Sequence, residues 1–232
     1  NYPKSIRREE AAQLLAEAYL YTSNYLAAIK HLEKNGLNTI ASKRTYQKVT
    51  FKYGALLFND GEYKEVSYWM NKCLSYNLDA KLQTQASLLM AESLSAQEQY
   101  EQSIDFFKKV ITSKSVSSET LQKGNYGLGY GYFNTKQYSL AYDYFKKFID
   151  RSSPDHPYKN DAYLRIADCL YIQKQYDRAI TFYTKNDQKN GKEYANYQIA
   201  IIYYLKNDLM SSRRLFENFL EKYPDSFYSD NA

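Results

Sequence analysis

Two cysteines and two histidines are all that 232 residues contain. Cys73 and Cys169 cannot make a disulfide framework, and neither sits in a paired metal-ligand spacing. His31 and His156 are isolated, and no His-x-x-x-His or Cys-x-x-Cys pair occurs, so a metal centre is not expected. Both cysteines fall near helix packing faces, where a free thiol acts as a small hydrophobe. Long apolar runs are lacking too. No window approaches the roughly 18 apolar residues of a membrane helix, so no membrane span is expected. The opening NYPKSIRREE has no signal-peptide core and reads as the start of a piece of a longer protein, which leaves the compartment open. The charge is nearly balanced: 31 basic and 26 acidic residues leave +5. A nucleic-acid partner usually needs a concentrated basic face, and none is expected here. Strand alternation is missing apart from brief tyrosine runs that fit the helical period better. No Ser/His/Asp or Cys/His set can be drawn without gathering distant residues, so the chain does not read as an enzyme, and no cofactor is implied.

Aromatics are what the chain has in excess, with 27 Tyr and 11 Phe. They supply large burial area, and tyrosine does so while keeping its hydroxyl in water. The overall balance, 44% hydrophobic and 25% charged, suits one large domain or a repeat array.

The aromatics recur in register. Tyr138-x-x-Ala141-x-x-x-Phe145 returns as Tyr25-x-x-Ala28-x-x-x-Leu32, Tyr63-x-x-Val66-x-x-x-Met70 and Tyr100-x-x-Ser103-x-x-x-Phe107. It returns again as Tyr176-x-x-Ala179-x-x-x-Tyr183 and Leu209-x-x-Ser212-x-x-x-Phe216. The small residues are separated by 38, 37, 38, 38 and 33 positions. Ahead of each phrase lies an apolar run with a small residue, such as Leu15-Ala16-x-x-Tyr19, Met90-Ala91-x-x-Leu94 or Ile166-Ala167-x-x-Leu170. Spacings of three and four put these on one helix face. Short polar turns are predicted near 22–24, 59–61, 96–98, 135–137, 173–175 and 206–208, and short connections make neighbouring helices antiparallel. Breaks between pairs fall at Asn35-Gly36, Asn77 to Asp79, Ser113 to Ser118, Ser152 to Pro157 and Asn186 to Gly191.

The stretch from Gly124 to Pro154 carries Leu128-Gly129-x-x-Tyr132, then Ala141-x-x-x-Phe145, then Pro154. In that order the residues resemble the signature of the tetratricopeptide repeat, with Asn125 in place of its usual tryptophan. The resemblance runs from about Glu9 to Pro224. It implies two antiparallel helices per repeat, with Gly129 and Ala141 as contact points. It also implies an array, since one such unit cannot bury its apolar face alone. The usual period is about 34, so most repeats here carry about four extra residues, expected between repeats or in longer helices. Gly124, Gly127, Gly129 and Gly131 then lie inside a helix. There they serve close packing rather than a phosphate loop, which needs a strand before it and a helix start after it. Four glycines cost such a helix about 3 kcal/mol against alanine.

The junction Pro154-Asp155-His156-Pro157-Tyr158, repeated in part at Pro224-Asp225-Ser226-Phe227-Tyr228, is similar to those in bacterial cell-envelope tetratricopeptide proteins of the BamD-like and Tol–Pal-associated kind. That resemblance implies a periplasmic or outer-membrane-associated location. The second copy also predicts that a seventh repeat begins at 225–232.

The expected fold is an all-α superhelical solenoid of about six hairpins, one domain over 1–232. Its repeats lie near 5–36, 40–77, 81–114, 118–153, 157–187 and 191–224. In the tetratricopeptide family the first helices line a concave surface. Counting from the matched leucine positions, that surface receives Phe51, Phe58, Tyr126, Tyr130, Phe133, Asp168, Tyr171, Tyr197 and Tyr204, with Glu17 and Glu92 on equivalent positions. Gly127 and Gly131 should leave room there for a ligand or a neighbouring backbone. The expected function is non-catalytic protein binding: a peptide or partner protein anchored by aromatic side chains and oriented by hydroxyl and amide hydrogen bonds. Acids stand where a basic clamp for a peptide carboxylate would need positive charge. The alternatives are an RNA-binding repeat of the pentatricopeptide type, which needs a basic groove, and an envelope scaffold that recognises glycan through its aromatics.

Overall fold

The structure is a computed structural model that describes residues 7–186 and 189–231. Among the described residues it contains twelve α-helices and one short 3₁₀ turn, with no strand. The helices are α1 (Arg8–Tyr21), α2 (Tyr25–Asn35), α3 (Ile40–Asn59), α4 (Tyr63–Leu74), α5 (Ala80–Ala96) and α6 (Tyr100–Thr112). They continue as α7 (Ser118–Asn134), α8 (Tyr138–Arg151), α9 (Lys159–Ile172), α10 (Tyr176–Thr184), α11 (Lys189–Leu205) and α12 (Leu209–Lys222). Each recurring phrase opens a second helix: Tyr25, Tyr63, Tyr100, Tyr138, Tyr176 and Leu209 are the first residues of the even-numbered helices. The chain is an all-α helical repeat of six hairpins.

All six hairpin turns share one geometry, and hydrogen bonding explains it. The residue at the turn's centre has positive φ: Ser23 56°, Gly61 80°, Glu98 60°, Lys136 60°, Lys174 59° and Asn207 61°. The N–H of the next residue then donates five residues back, as in Gln137 N to Tyr132 O (2.8 Å), Gln175 N to Leu170 O (2.8 Å) and Asn24 N to Tyr19 O (2.9 Å). The central residue's own N–H donates three back, as in Lys136 N to Phe133 O (3.0 Å). This is the Schellman closure, which satisfies orphan carbonyls at a helix C-terminus. The acceptor of the long bond is the last residue of each first-helix signature. Two turns lie one residue later than the predicted 59–61 and 96–98. Helices α3 and α5 continue through Asn59 and Ala96, because the left-handed residues are Gly61 and Glu98.

Three of the first helices, α3, α5 and α7, also start on side-chain caps. Thr39 and Ser42 form a reciprocal capping box at α3. Asp79 accepts from Leu82 N (2.9 Å) at α5, and Ser117 accepts from Thr120 N (3.2 Å) at α7. Each such cap contributes about 1 kcal/mol. The extra residues of the long repeats lie in these junctions and in helix length: α3 has 20 residues, and α5 and α7 have 17. The last spacing of 33 is short because α10 has only 9 residues. The break predicted from Asn186 to Gly191 includes residues 187 and 188, outside the described residues.

Contacts divide the chain into two compact units, residues 1–127 and 128–232, with the boundary inside α7. In the first unit, Ala28, Ile29 and Leu32 of α2 pack with Tyr46 and Val49 of α3, and Val66, Met70 and Cys73 of α4 pack with Ala86, Met90 and Leu94 of α5. In the second, Ala141, Phe145, Ile166, Ala179, Tyr183 and Ile202 are buried along the even–odd interfaces. The glycines of α7 are sites of close approach. A Cβ on Gly124 would lie 2.6 Å from Ile111, and one on Gly129 2.6 Å from the Phe145 ring. Gly127 does not leave room for a ligand as expected: the Phe107 ring stands 2.2 Å from where its Cβ would be.

The two copies of the proline junction fold alike. His156 N donates to Ser153 O (3.2 Å), and Ser226 N donates to Tyr223 O (3.1 Å). The side chains of the same two residues accept from Tyr158 N (3.3 Å, at His156 Nδ1) and Tyr228 N (3.1 Å, at Ser226 Oγ). A helical turn then starts at Lys159 in one copy and at Ser229 in the other.

Candidate partner-binding surface

The first helices of each unit carry the predicted site residues, and their surroundings sort them. In the first unit, Phe51 and Phe58 are half-buried and pack against the Val66–Met70–Leu94 cluster. Phe58 also meets Tyr63 edge-on at 5.4 Å. Tyr126 is half-buried. Two acids share this face. Glu17 accepts from Gln13 Nε2 (3.1 Å) and Thr45 Oγ1 (3.5 Å). Glu92 is half-buried, and burial raises its pKa above the usual carboxylate value, against a weaker pull from Lys123.

In the second unit a charged cluster lies among tyrosines. Asp168 is only 5% exposed. Its Oδ1 accepts from the hydroxyls of Tyr183 (2.7 Å) and Tyr194 (2.8 Å), and its Oδ2 accepts from Arg165 Nη1 (2.7 Å). Burial pushes the Asp168 carboxyl up, while Arg165 and the two hydroxyls pull it down. Arg165 reaches Asp161 as well, at 3.6 Å, and lies over the Phe133 ring at 5.6 Å. The Tyr130 hydroxyl donates to Asp161 Oδ2 at 2.5 Å, and its ring meets Phe145 edge-on at 5.2 Å. Tyr130, Phe133 and Asp168 are thus brought together by α7 and α9.

The remaining three predicted residues are not part of that cluster. Tyr171 tilts against Tyr176 at 6.2 Å. Tyr197 is enclosed by Phe216 (5.9 Å), Phe219 (5.8 Å) and a stacked Tyr228 (4.8 Å). Tyr204 stands 62% exposed. Arg165, Asp161, Tyr183 and Tyr194 were not predicted. The signal for the first two was present in Asp161-Ala-Tyr-Leu-Arg165-Ile-Ala-Asp168, where acids stand four before and three after an arginine on one helix face.

Two clefts, of about 320 and 220 Å³, flank α12 and hold none of the predicted residues. Both cysteines are buried, with thiol pKa values pushed up to about 12 by burial, so neither is a nucleophile at neutral pH. Among the described residues, no three His, Cys, Asp or Glu side chains are grouped to hold a metal, and no helix is long and apolar enough to cross a membrane.

Six antiparallel hairpins with small residues at every crossing define a helical-repeat protein. Residues 85–113, 161–185 and 194–226 match the model of the tetratricopeptide repeat family. The solved structure of MamA is similar over 77% of this chain and 92% of its own, at 20% identity and a TM-score of 0.65. YrrB, described as a TPR protein with an unusual peptide-binding site, is similar over 76% of this chain and 86% of its own, at 19% identity and a TM-score of 0.64. Pseudomonas aeruginosa pilF is similar over 96% of this chain and 95% of its own, at 17% identity and a TM-score of 0.60. At these identities the likeness establishes the fold. No curated protein matches the chain.

Proposed function

We propose that this chain is a non-catalytic protein-interaction module, which holds a peptide or a segment of a partner protein on the aromatic face of its first helices. The observation that carries the reading is that face in the second unit. There Tyr130 and Phe133 sit half-buried beside the Asp161–Arg165–Asp168 set, which combines apolar anchors with fixed polar partners. Pockets that recognise other molecules have this make-up. The peptide-binding site described for YrrB supports the same use of a related fold. Asp168, itself buried, holds Arg165 from beneath rather than meeting the partner. Phe51, Phe58, Tyr126, Tyr171 and Tyr204 extend the apolar surface within their own units, and Tyr197 supports it through packing. We further propose a bacterial cell-envelope setting, which rests on the junction phrase at Pro154–Tyr158 and its copy at Pro224–Tyr228.

The test is selection of peptides from a random display library, followed by titration calorimetry of the best binder. Tyr130→Ala should weaken it at least tenfold with helicity intact, as truncation of a central aromatic anchor costs about 2 kcal/mol or more. Glu10→Ala should leave affinity unchanged. Equal affinity for wild type and Tyr130→Ala, with both folded, would move the binding surface elsewhere.

A further inference from the structure

Three acids in this chain stand at the same place in their repeats: Glu17, which accepts from Gln13 and Thr45, Asp168, which is provided with donors, and Glu92, which is not. Asp168 follows its matched apolar position, Ile166, by two residues; Glu92 follows Met90 by two. Around Asp168, Arg165 comes from three residues earlier on the same helix, Tyr183 from the following second helix and Tyr194 from the next first helix. The equivalent positions around Glu92 are Leu89, Phe107 and Lys123. Leu89 has no charge, and Phe107 lacks the hydroxyl and presses its ring on Gly127. Lys123 makes an ion pair with Glu119 at 3.1 Å on its own helix. Among the described residues no hydrogen bond or ion pair reaches Glu92. Among the described residues the unpartnered side-chain atoms sealed from solvent are Gln47 Oε1, Arg165 Nε and Gln198 Oε1, and the half-buried Glu92 side chain keeps part of its surface in solvent.

We infer that Glu92 is the recognition point for an arginine or lysine side chain of the bound peptide, which supplies from outside the cation that Arg165 supplies to Asp168 from within. A half-buried carboxylate without donors is costly, and a cation recovers that cost only when bound, so the site discriminates by charge. Phe51 and Phe58 on the preceding first helix and Tyr126 on the following one give the apolar flanks within the same unit. The direction of the Glu92 pKa agrees, since an unpaired carboxyl leaving water holds its proton longer.

The inference rests on the proposed peptide-binding role, and the experiment separates the two. The probes are the blocked heptapeptide Ser-Ala-Tyr-Arg-Tyr-Ala-Ser and its counterpart with glutamine for arginine, titrated by NMR into the intact chain. The arginine peptide should bind wild type at least fivefold more tightly, and its binding should lower the Glu92 pKa. Glu92→Gln should abolish the preference. Leu89→Arg should abolish it too, by furnishing the guanidinium in cis as in α9, while Lys123→Gln should strengthen it. Equal affinity of the two peptides for wild type, or a preference that survives in Glu92→Gln, overturns the inference. In that case loss of library-peptide binding in Tyr130→Ala would still uphold the interaction role. Failure of both heptapeptides to bind at millimolar concentration also overturns it.

Discussion

Replacing Gly127 by alanine separates two effects of opposite sign. In an unconstrained helix the change stabilises by up to about 1 kcal/mol. Here the new Cβ would meet three atoms of the Phe107 ring at 2.2, 2.4 and 2.6 Å. Carbon contacts are favourable near 3.5–4.0 Å, so the ring would have to retreat by about 1 Å or more. It has little space for that, since Phe107 is 2% exposed in a close-packed interface. Overpacking of this kind costs about 1–3 kcal/mol, which exceeds the propensity gain in most of that range. The expected outcome is a net loss of about 1 kcal/mol, or a fall of roughly 2–4 °C in Tm for a chain of this size. Urea and thermal unfolding followed by far-UV circular dichroism would measure it. A double-mutant cycle with Phe107→Leu locates the cause: the double variant should lose at least about 0.5 kcal/mol less than the two single changes together. A Gly127→Ala protein as stable as wild type, or additivity in the cycle, would refute the reasoning.

Ala141→Leu and Ala179→Leu insert bulk at fully buried crossings and should each cost about 1–3 kcal/mol, read as lowered urea midpoints. Lys136→Gly places a residue indifferent to the sign of φ at 60° and should raise the midpoint, by up to about 1 kcal/mol, whereas Gly61→Ala at 80° should lower it. Because burial holds the Asp168 carboxyl above its ordinary pKa, the folded state keeps that proton after the unfolded chain has lost it. Its stability contribution therefore falls as pH rises from the usual carboxylate value to the raised one. The margin of wild type over Asp168→Asn should shrink across that interval and then level off. A margin that grows with pH would mean that Arg165 and the hydroxyls outweigh burial.

The hairpins were legible because their signal is local. Tyr25, Tyr63, Tyr100, Tyr138 and Tyr176 each open a second helix, and the residue three places later is fully buried. Turn positions followed to within one residue, since only the left-handed residue moves them. The candidate site was less legible, and Tyr197 and Arg165 show why. Tyr197 has the spacing of an outward-facing position, but Tyr228 returns from a later junction and stacks on it. Counting along one helix cannot register a ring delivered from another segment. Arg165 lies one place off the counted stripe, and a long side chain reaches Asp161, Asp168 and Phe133 from there. Offsets fix where a Cα points, while the reach of a guanidinium depends on which neighbours accept it.

The six Schellman turns have a further consequence for how this chain could be graded in strength. Five of them place an L-residue where glycine would be unstrained, and each turn closes on its own hairpin without borrowing from the core. Each is therefore an independent dial. Glycine at 98 or 136 would tighten one hairpin and leave its crossing residues and exposed face untouched. In repeat proteins stability is approximately a sum over repeats and their nearest-neighbour interfaces, so dials set separately would reorder which hairpin opens first. The native sequence, with Ser, Gly, Glu, Lys, Lys and Asn in the six settings, is one choice among many that share the same architecture.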